Sequence, residues 1–223
     1  SGIGFAAMDS KVDTRNYAFF GQADWDVTED FTASLGLRYT KDEISFDFAR
    51  GAAVITGPFS GLPALPASAG YFTNETEDDA LTGRLALSYD INDTTMIFGS
   101  YAEGYKTPAF DLIFSLNESR TAPVPAETNK AWEGGVRSEF FDRRLRLSVT
   151  GFHTTFENFQ GQAYNPETVT FSLTSAGEVI TEGLEVEFNA KPVPELLISG
   201  GVAFIDATYG EFQDQQYYFN QTA

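Results

Sequence analysis

The sequence predicts an all-β chain: an antiparallel wall of about eight strands in four hairpins, of the kind that forms a transmembrane β-barrel. Three observations predict it. Apolar and polar residues alternate with period two over whole strand lengths. The alternating windows come in pairs joined by short runs of turn-forming residues. The links between pairs are far longer than the turns within them, as in outer-membrane barrels with short turns at one end and long loops at the other.

The first hairpin pairs Tyr17–Val27 with Phe31–Phe48 across Thr28-Glu29-Asp30. Its second strand sets Phe31, Ala33, Leu35, Leu37 and Tyr39 against Thr32, Ser34, Gly36 and Arg38. The second hairpin pairs Leu81–Ile91 with Thr95–Lys106 across Asn92-Asp93-Thr94, with Leu81, Leu85, Leu87 and Tyr89 opposed to Thr82, Arg84 and Ser88. The third pairs Thr128–Phe140 with Leu145–Gln160 around Phe141–Arg144; Trp132, Val136 and Phe140 share one face, Glu133, Arg137 and Glu139 the other. The fourth pairs Glu178–Ala190 with Leu196–Thr208 across Lys191–Glu195, where Pro192 and Pro194 stop strand pairing. There Leu184, Val186 and Phe188 oppose Glu185, Glu187 and Asn189. Successive strand side chains point to opposite faces, so each segment has one oily and one wet side.

Two strands change phase. Apolar residues sit on odd positions from Phe31 to Tyr39 but on even ones at Ile44, Phe46 and Phe48, and Leu145, Leu147 and Val149 give way to Phe152 and Phe156. A bulge, or emergence of the strand above the membrane, would each produce this. Long outer loops are expected near 50–79, 107–127 and 160–168. The run Glu75, Glu77, Asp78, Asp79 reads as part of a solvated loop, because it lacks the spacing of a calcium loop.

Composition limits the function classes. The net charge is −18, which argues against nucleic-acid binding, since phosphates require Lys and Arg. There is no cysteine and one histidine, His153, so neither a disulfide framework nor a transition-metal site is expected, and no cofactor is implied. Mean hydropathy is −0.21 and no apolar run suits a membrane helix. No GxSxG elbow, Walker loop, HExxH or dinucleotide fingerprint occurs, so an enzyme is not expected. No basic, apolar leader opens the chain. With a short first turn, both termini are expected on the outer side, which suits a piece of a longer barrel.

Four segments, in order, resemble one family. Ser100-Tyr101-Ala102-Glu103-Gly104-Tyr105-Lys106-Thr107-Pro108-Ala109-Phe110 is similar to the SYxxGYKxPxF strand-to-loop segment of TonB-dependent outer-membrane receptors. Glu127 to Gln160 resembles one of their hairpins, Gly183-Leu184-Glu185-Val186-Glu187 with Pro192 and Leu196 another, and Ile205-Asp206-Ala207-Thr208-Tyr209 the segment that follows. The resemblance implies a piece of a 22-stranded barrel whose plug domain and closing strands lie outside residues 1–223. It implies import of a scarce ligand, of siderophore-iron, cobalamin or carbohydrate class, across the outer membrane of a Gram-negative bacterium. The implied partners are the receptor's own plug, the TonB–ExbB–ExbD complex, the small-molecule ligand, and the surrounding bilayer with its lipopolysaccharide. A complete eight-stranded barrel with an adhesin or structural role, and a secreted glycan-binding β-protein, are the alternatives.

Glu133 and Glu185 match the family positions where barrel glutamates face plug arginines, and Arg137 and Glu187 share their polar face. Carboxylates are costly to desolvate alone, and a guanidinium is their bidentate partner. Arg38, Arg84 and Arg137 are expected to form a charge ladder with Glu139 and Glu187. Tyr105, Lys106, Phe110, Phe114 and Arg120, at the mouth or in the outer loop, are candidates to touch an anionic ligand. The aromatic girdle is expected to include Tyr17, Phe19, Phe20, Trp25, Tyr39, Tyr89, Tyr101, Tyr105, Trp132, Phe140 and Phe141.

Overall fold

The computed structural model describes residues 8–51, 70–112, 121–165 and 170–210. They form eight strands: β1 (Met8–Asp26), β2 (Phe31–Arg50), β3 (Gly70–Asn92), β4 (Thr95–Lys106), β5 (Glu127–Phe140), β6 (Leu145–Asn165), β7 (Thr170–Val193) and β8 (Leu196–Tyr209). The strands follow one another as a single antiparallel meander in the order β1 to β8. Among the described residues β1 pairs only with β2 and β8 only with β7, so the sheet is open. A closed eight-stranded barrel would need a β1–β8 ladder, and a sandwich would need a second sheet; neither is present among these residues.

The four expected hairpins are present, with β4 at its expected bounds. Several other strands run further than expected. β1 starts at Met8 rather than Tyr17, β3 at Gly70 rather than Leu81, and β6 and β7 extend to Asn165 and back to Thr170. The expected loops at 50–79 and 160–168 therefore shrink. The acidic run belongs to β3, not to a loop: Glu75, Glu77 and Asp79 lie opposite Ser45, Glu43 and Lys41. Lys41 Nζ sits 3.1 Å from Glu77 and 3.8 Å from Glu43, relieving the repulsion of two facing glutamates.

The phase change in β2 is not a bulge. Pairing with β1 runs without a skip from Asp26–Thr32 to Met8–Arg50, so each face keeps its side chains throughout. What changes is the surroundings. One face passes from Leu35, Leu37 and Tyr39 to Lys41, Glu43 and Asp47, while the other passes from Ser34 and Arg38 to buried Ile44, Phe46 and Phe48. Emergence from lipid into water explains both inversions at once.

The ladders tie side chains into rows across all eight strands. One row is Trp25, Ala33, Leu87, Gly99, Gly134, Gly151, Leu184 and Phe204. Its face is apolar and bare: Phe19 is 75 % exposed, Trp25 67 % and Phe204 64 %. Buried hydrophobic residues, by contrast, are few among the described residues: Ile44, Phe46, Phe48, Val124 and Val179. Such a band has no protein to cover it and fits lipid. On β2 it spans Phe31–Tyr39, close to the 9–11 residues of a tilted membrane strand.

The band is oblique. Its upper edge lies at the Phe19–Tyr39–Leu81 row on β1–β3, at the Tyr101–Trp132 row on β4–β5, and at the Leu184–Phe204 row on β7–β8. That edge falls by about six residues over about seven strand-to-strand steps, a slope of about 30° at ~3.4 Å per residue and ~4.8 Å per strand. Barrel strands tilt by about 35–45° for the same geometric reason. Two residues expected in the girdle sit elsewhere. Phe20 lies on the polar face under Arg38, with the guanidinium carbon 5.8 Å from its ring. Tyr105 donates to Asp78 (3.2 Å) beyond the point where β3 and β4 stop pairing.

Candidate functional site

The polar face forms a basin of about 580 Å³ over β4–β7. Glu133 and Arg137 of β5 and Glu185 and Glu187 of β7 all line it, with Phe98, Arg146, Ser148, Thr150, Phe152 and Asn189. The ladder explains the convergence: Arg137 opposes Ser148, which opposes Glu187, and Thr150 opposes Glu185. All four residues expected to share this face do so.

Two glycine notches shape the basin. Phe98 lies over Gly135, where an added Cβ would come within 2.8 Å of the ring and 2.4 Å of the Val149 carbonyl oxygen. Phe152 lies over Gly183, where a Cβ would meet the ring at 2.7 Å and the Phe204 carbonyl at 2.3 Å. Glycine removes the side chain that would collide, and the neighbouring ring covers the backbone left bare. The Arg137 guanidinium stacks 4.7 Å from the Phe98 centroid.

The expected charge ladder forms differently. Glu139 is held by Arg146 at 2.6 Å and Arg143 at 3.2 Å, two arginines that alternation alone did not single out. Arg38 Nε donates instead to Thr40 Oγ1 (3.0 Å). Among the described residues no cation lies within 4 Å of Glu133, Glu185 or Glu187. With Arg146 engaged by Glu139, the described lining leaves three carboxylates and one of its two guanidiniums, Arg137, outside any ion pair.

Three of the five mouth residues are already engaged. Lys106 Nζ sits 3.5 Å from Glu127, and Phe110 packs edge-on against Phe46 at 4.7 Å. Burial first, then the Asp78 charge, push the Tyr105 phenol well above its ordinary value, so it stays a donor. Phe114 and Arg120 fall outside the described residues. Gln160 is a clamp the sequence did not announce. It is buried; its backbone N–H donates to Glu127 Oε2 (2.8 Å), and its amide donates to the carbonyls of Thr107 and Pro125 (2.9 Å each). Both ends of the β4–β5 link are thereby fixed to β6. His153 Nδ1 lies 3.1 Å from Glu182, in the row of Trp132. No group of residues able to hold a metal ion occurs among the described residues.

The family model for the TonB-dependent receptor-like β-barrel matches residues 2–222. The chain belongs to this family. In a membrane β-barrel the apolar face of the wall is the exterior and the polar face lines the lumen. The pesticin receptors of Yersinia enterocolitica and Yersinia pestis are 23 % identical over 170 residues, which is 76 % of this chain and 23 % of theirs. The chain thus spans about a quarter of the length of those relatives. Among solved structures, the ferric yersiniabactin uptake receptor FyuA of Yersinia pestis is similar over 92 % of this chain and 29 % of its own, with a TM-score of 0.74 at 19 % identity. The ferric-catecholate import receptor Fiu of K12 E. coli is similar over 92 % of this chain and 29 % of its own, with a TM-score of 0.64 at 21 % identity. The receptor family is one of transport receptors, not of enzymes.

Proposed function

We propose that this chain is a stretch of barrel wall from an outer-membrane receptor that imports a scarce ligand with TonB-derived energy, and that its lumenal basin grips the receptor's plug domain. The observation that carries the second part is the surplus of carboxylate in the basin. Glu133, Glu185 and Glu187 converge, and among the described residues none of them forms an ion pair; of the two arginines in the lining, Arg146 is taken by Glu139 and Arg137 lies against Phe98. A lumen filled by protein leaves no water to solvate those charges, so plug guanidinium groups are their natural counterparts. Phe98 and Phe152 add flat faces on which a guanidinium stacks.

Energy from the TonB–ExbB–ExbD complex would act on the plug, and the wall's task is to hold the plug until pulled. For the ligand, the named relatives favour siderophore-bound iron over cobalamin or a carbohydrate. The mouth residues Tyr105, Lys106, Phe110, Phe114 and Arg120 are proposed only as its surroundings.

The test uses the parent receptor. Glu133→Gln with Glu185→Gln is expected to raise the protease sensitivity of the plug by at least about tenfold, a lower bound for lost buried charge-assisted contacts, while the barrel's heat-modifiable gel shift is retained. Unchanged plug cleavage and unchanged ligand uptake would overturn the reading.

A further inference from the structure

The lumenal face carries a second charged patch, of opposite sign. Arg38 of β2 opposes Thr82, and Arg84 of β3 opposes Gly36, so the two arginines are diagonal neighbours on adjacent strands. Among the described residues no carboxylate lies within 4 Å of either guanidinium. The nearby acids are already engaged. Asp24 accepts from Ser34 (2.5 Å) and Gln22 (3.1 Å), and Asp42 accepts from Asn16 (2.6 Å). Glu103, which lines with Phe20, Arg38 and Arg84 a cavity of about 360 Å³, accepts from Tyr101 (2.8 Å). Two like charges side by side repel unless an anion lies between them.

Phe20 completes the patch. Its ring is 78 % exposed on the polar face, directly opposite Arg38. An apolar ring beside two guanidiniums suits a resident protein surface better than a passing, hydrated solute.

The two patches lie at one depth. Arg38 precedes Tyr39, Glu133 follows Trp132 and Glu185 follows Leu184, and each of those neighbours marks the upper edge of the apolar band on its own strand. Arg38, Glu133 and Glu185 therefore ring the lumen at the same level, basic on β2–β3 and acidic on β5–β7.

We propose that Arg38 and Arg84, with Phe20, dock a carboxylate-bearing segment of the plug. The proposal rests on the reading that a plug fills this lumen. It adds that the wall holds the plug through contacts of both signs, which fix its rotation about the barrel axis. A plug turned by a few strands would bring like charges together, and that repulsion selects one orientation.

The test uses the full-length receptor with its plug. In the Arg84→Lys protein, a zero-length carbodiimide is expected to join the amine at position 84 to an Asp or Glu of the plug, identified by peptide mass spectrometry. A crosslink confined to wall carboxylates such as Glu103, or none at all, overturns the proposal. In parallel, Arg38→Glu with Arg84→Glu is expected to speed proteolysis of the plug by at least about tenfold, a lower bound for lost charge pairs, and Arg38→Lys with Arg84→Lys to leave it unchanged. The heat-modifiable gel shift checks that each barrel has folded. If Glu133→Gln with Glu185→Gln loosens the plug and the arginine reversal does not, this patch is not a dock and the basin reading stands. If the reversal weakens ligand binding and leaves the plug tight, the patch serves an anionic ligand and the proposal is wrong.

Discussion

Adjacent glycines in β5 make opposite predictions for the same substitution. Gly134 faces lipid, and a Cβ there would meet nothing closer than the Phe98 carbonyl at 3.7 Å, an ordinary contact. Gly135 faces the lumen, and a Cβ there would lie 2.4 Å from the Val149 carbonyl and 2.8 Å from the Phe98 ring. The ring can swing away; the carbonyl belongs to the β5–β6 ladder and moves only with the backbone. Replacing glycine by alanine where the conformation allows it stabilises by about 0.4–1 kcal/mol, through the unfolded chain. Forcing an extra carbon into a packed site costs about 1–3 kcal/mol. Gly134→Ala is therefore expected to be neutral or stabilising by up to about 1 kcal/mol, and Gly135→Ala to destabilise by roughly 1–3 kcal/mol. Urea unfolding of the parent receptor in lipid vesicles, followed by tryptophan fluorescence, measures both. Adding Phe98→Leu to Gly135→Ala should restore only part of the loss, because the carbonyl contact remains. Equal effects of the two alanines would refute the notch argument and with it the assignment of faces along β5.

The turn after β5 carries three consecutive non-glycine residues at positive φ: Phe141 (56°), Asp142 (55°) and Arg143 (65°). Arg143→Gly should stabilise by about 1 kcal/mol in the same assay, since a left-handed non-glycine residue costs that much and Arg146 still holds Glu139. Gln160→Ala removes two amide bonds at about 1 kcal/mol each, so proteolysis within 107–127 should accelerate while the strands resist as before; uniform loosening of the whole barrel would contradict the clamp. Leu87→Arg, in the middle of the apolar band, should cost about 2–4 kcal/mol on folding into vesicles, whereas Ser45→Arg, on the same face above the band, should cost about 0–1 kcal/mol. Similar costs at both positions would mean the band has been placed at the wrong height.

The sequence was most readable inside the lipid band, where one face must be apolar and the other wet. There the alternation placed Glu133, Arg137, Glu185 and Glu187 on one face and located β4 to the residue. Above the band that rule lapses. From Met8 to Asn16 and from Gly70 to Ala80 the exterior is as polar as a loop, so strand looked like turn and the acids of β3 looked like a solvated tip. The inverted pattern of Ile44, Phe46 and Phe48 was visible, but choosing between bulge and emergence required the β1–β2 register. Contacts between distant positions were beyond reach. Gln160 meets Thr107 and Pro125, and Phe98 settles over Gly135, only because particular strands align at particular offsets. Phe20, counted with the girdle for its aromatic character, belongs to the other face by parity.

The uninterrupted register from Asp26–Thr32 to Met8–Arg50 restricts how this part of the protein changes length over evolutionary time. Deleting one residue between Arg38 and Ile44 would turn the outer half of β2 inside out, aiming Phe46 and Phe48 away from Phe110 and Leu112 and drawing Lys41 and Glu43 inward. Removing two restores every orientation and merely shortens the wall by about 7 Å. Natural variants should therefore gain or lose residues here by even numbers, while the segments joining hairpins drift through odd and even lengths alike.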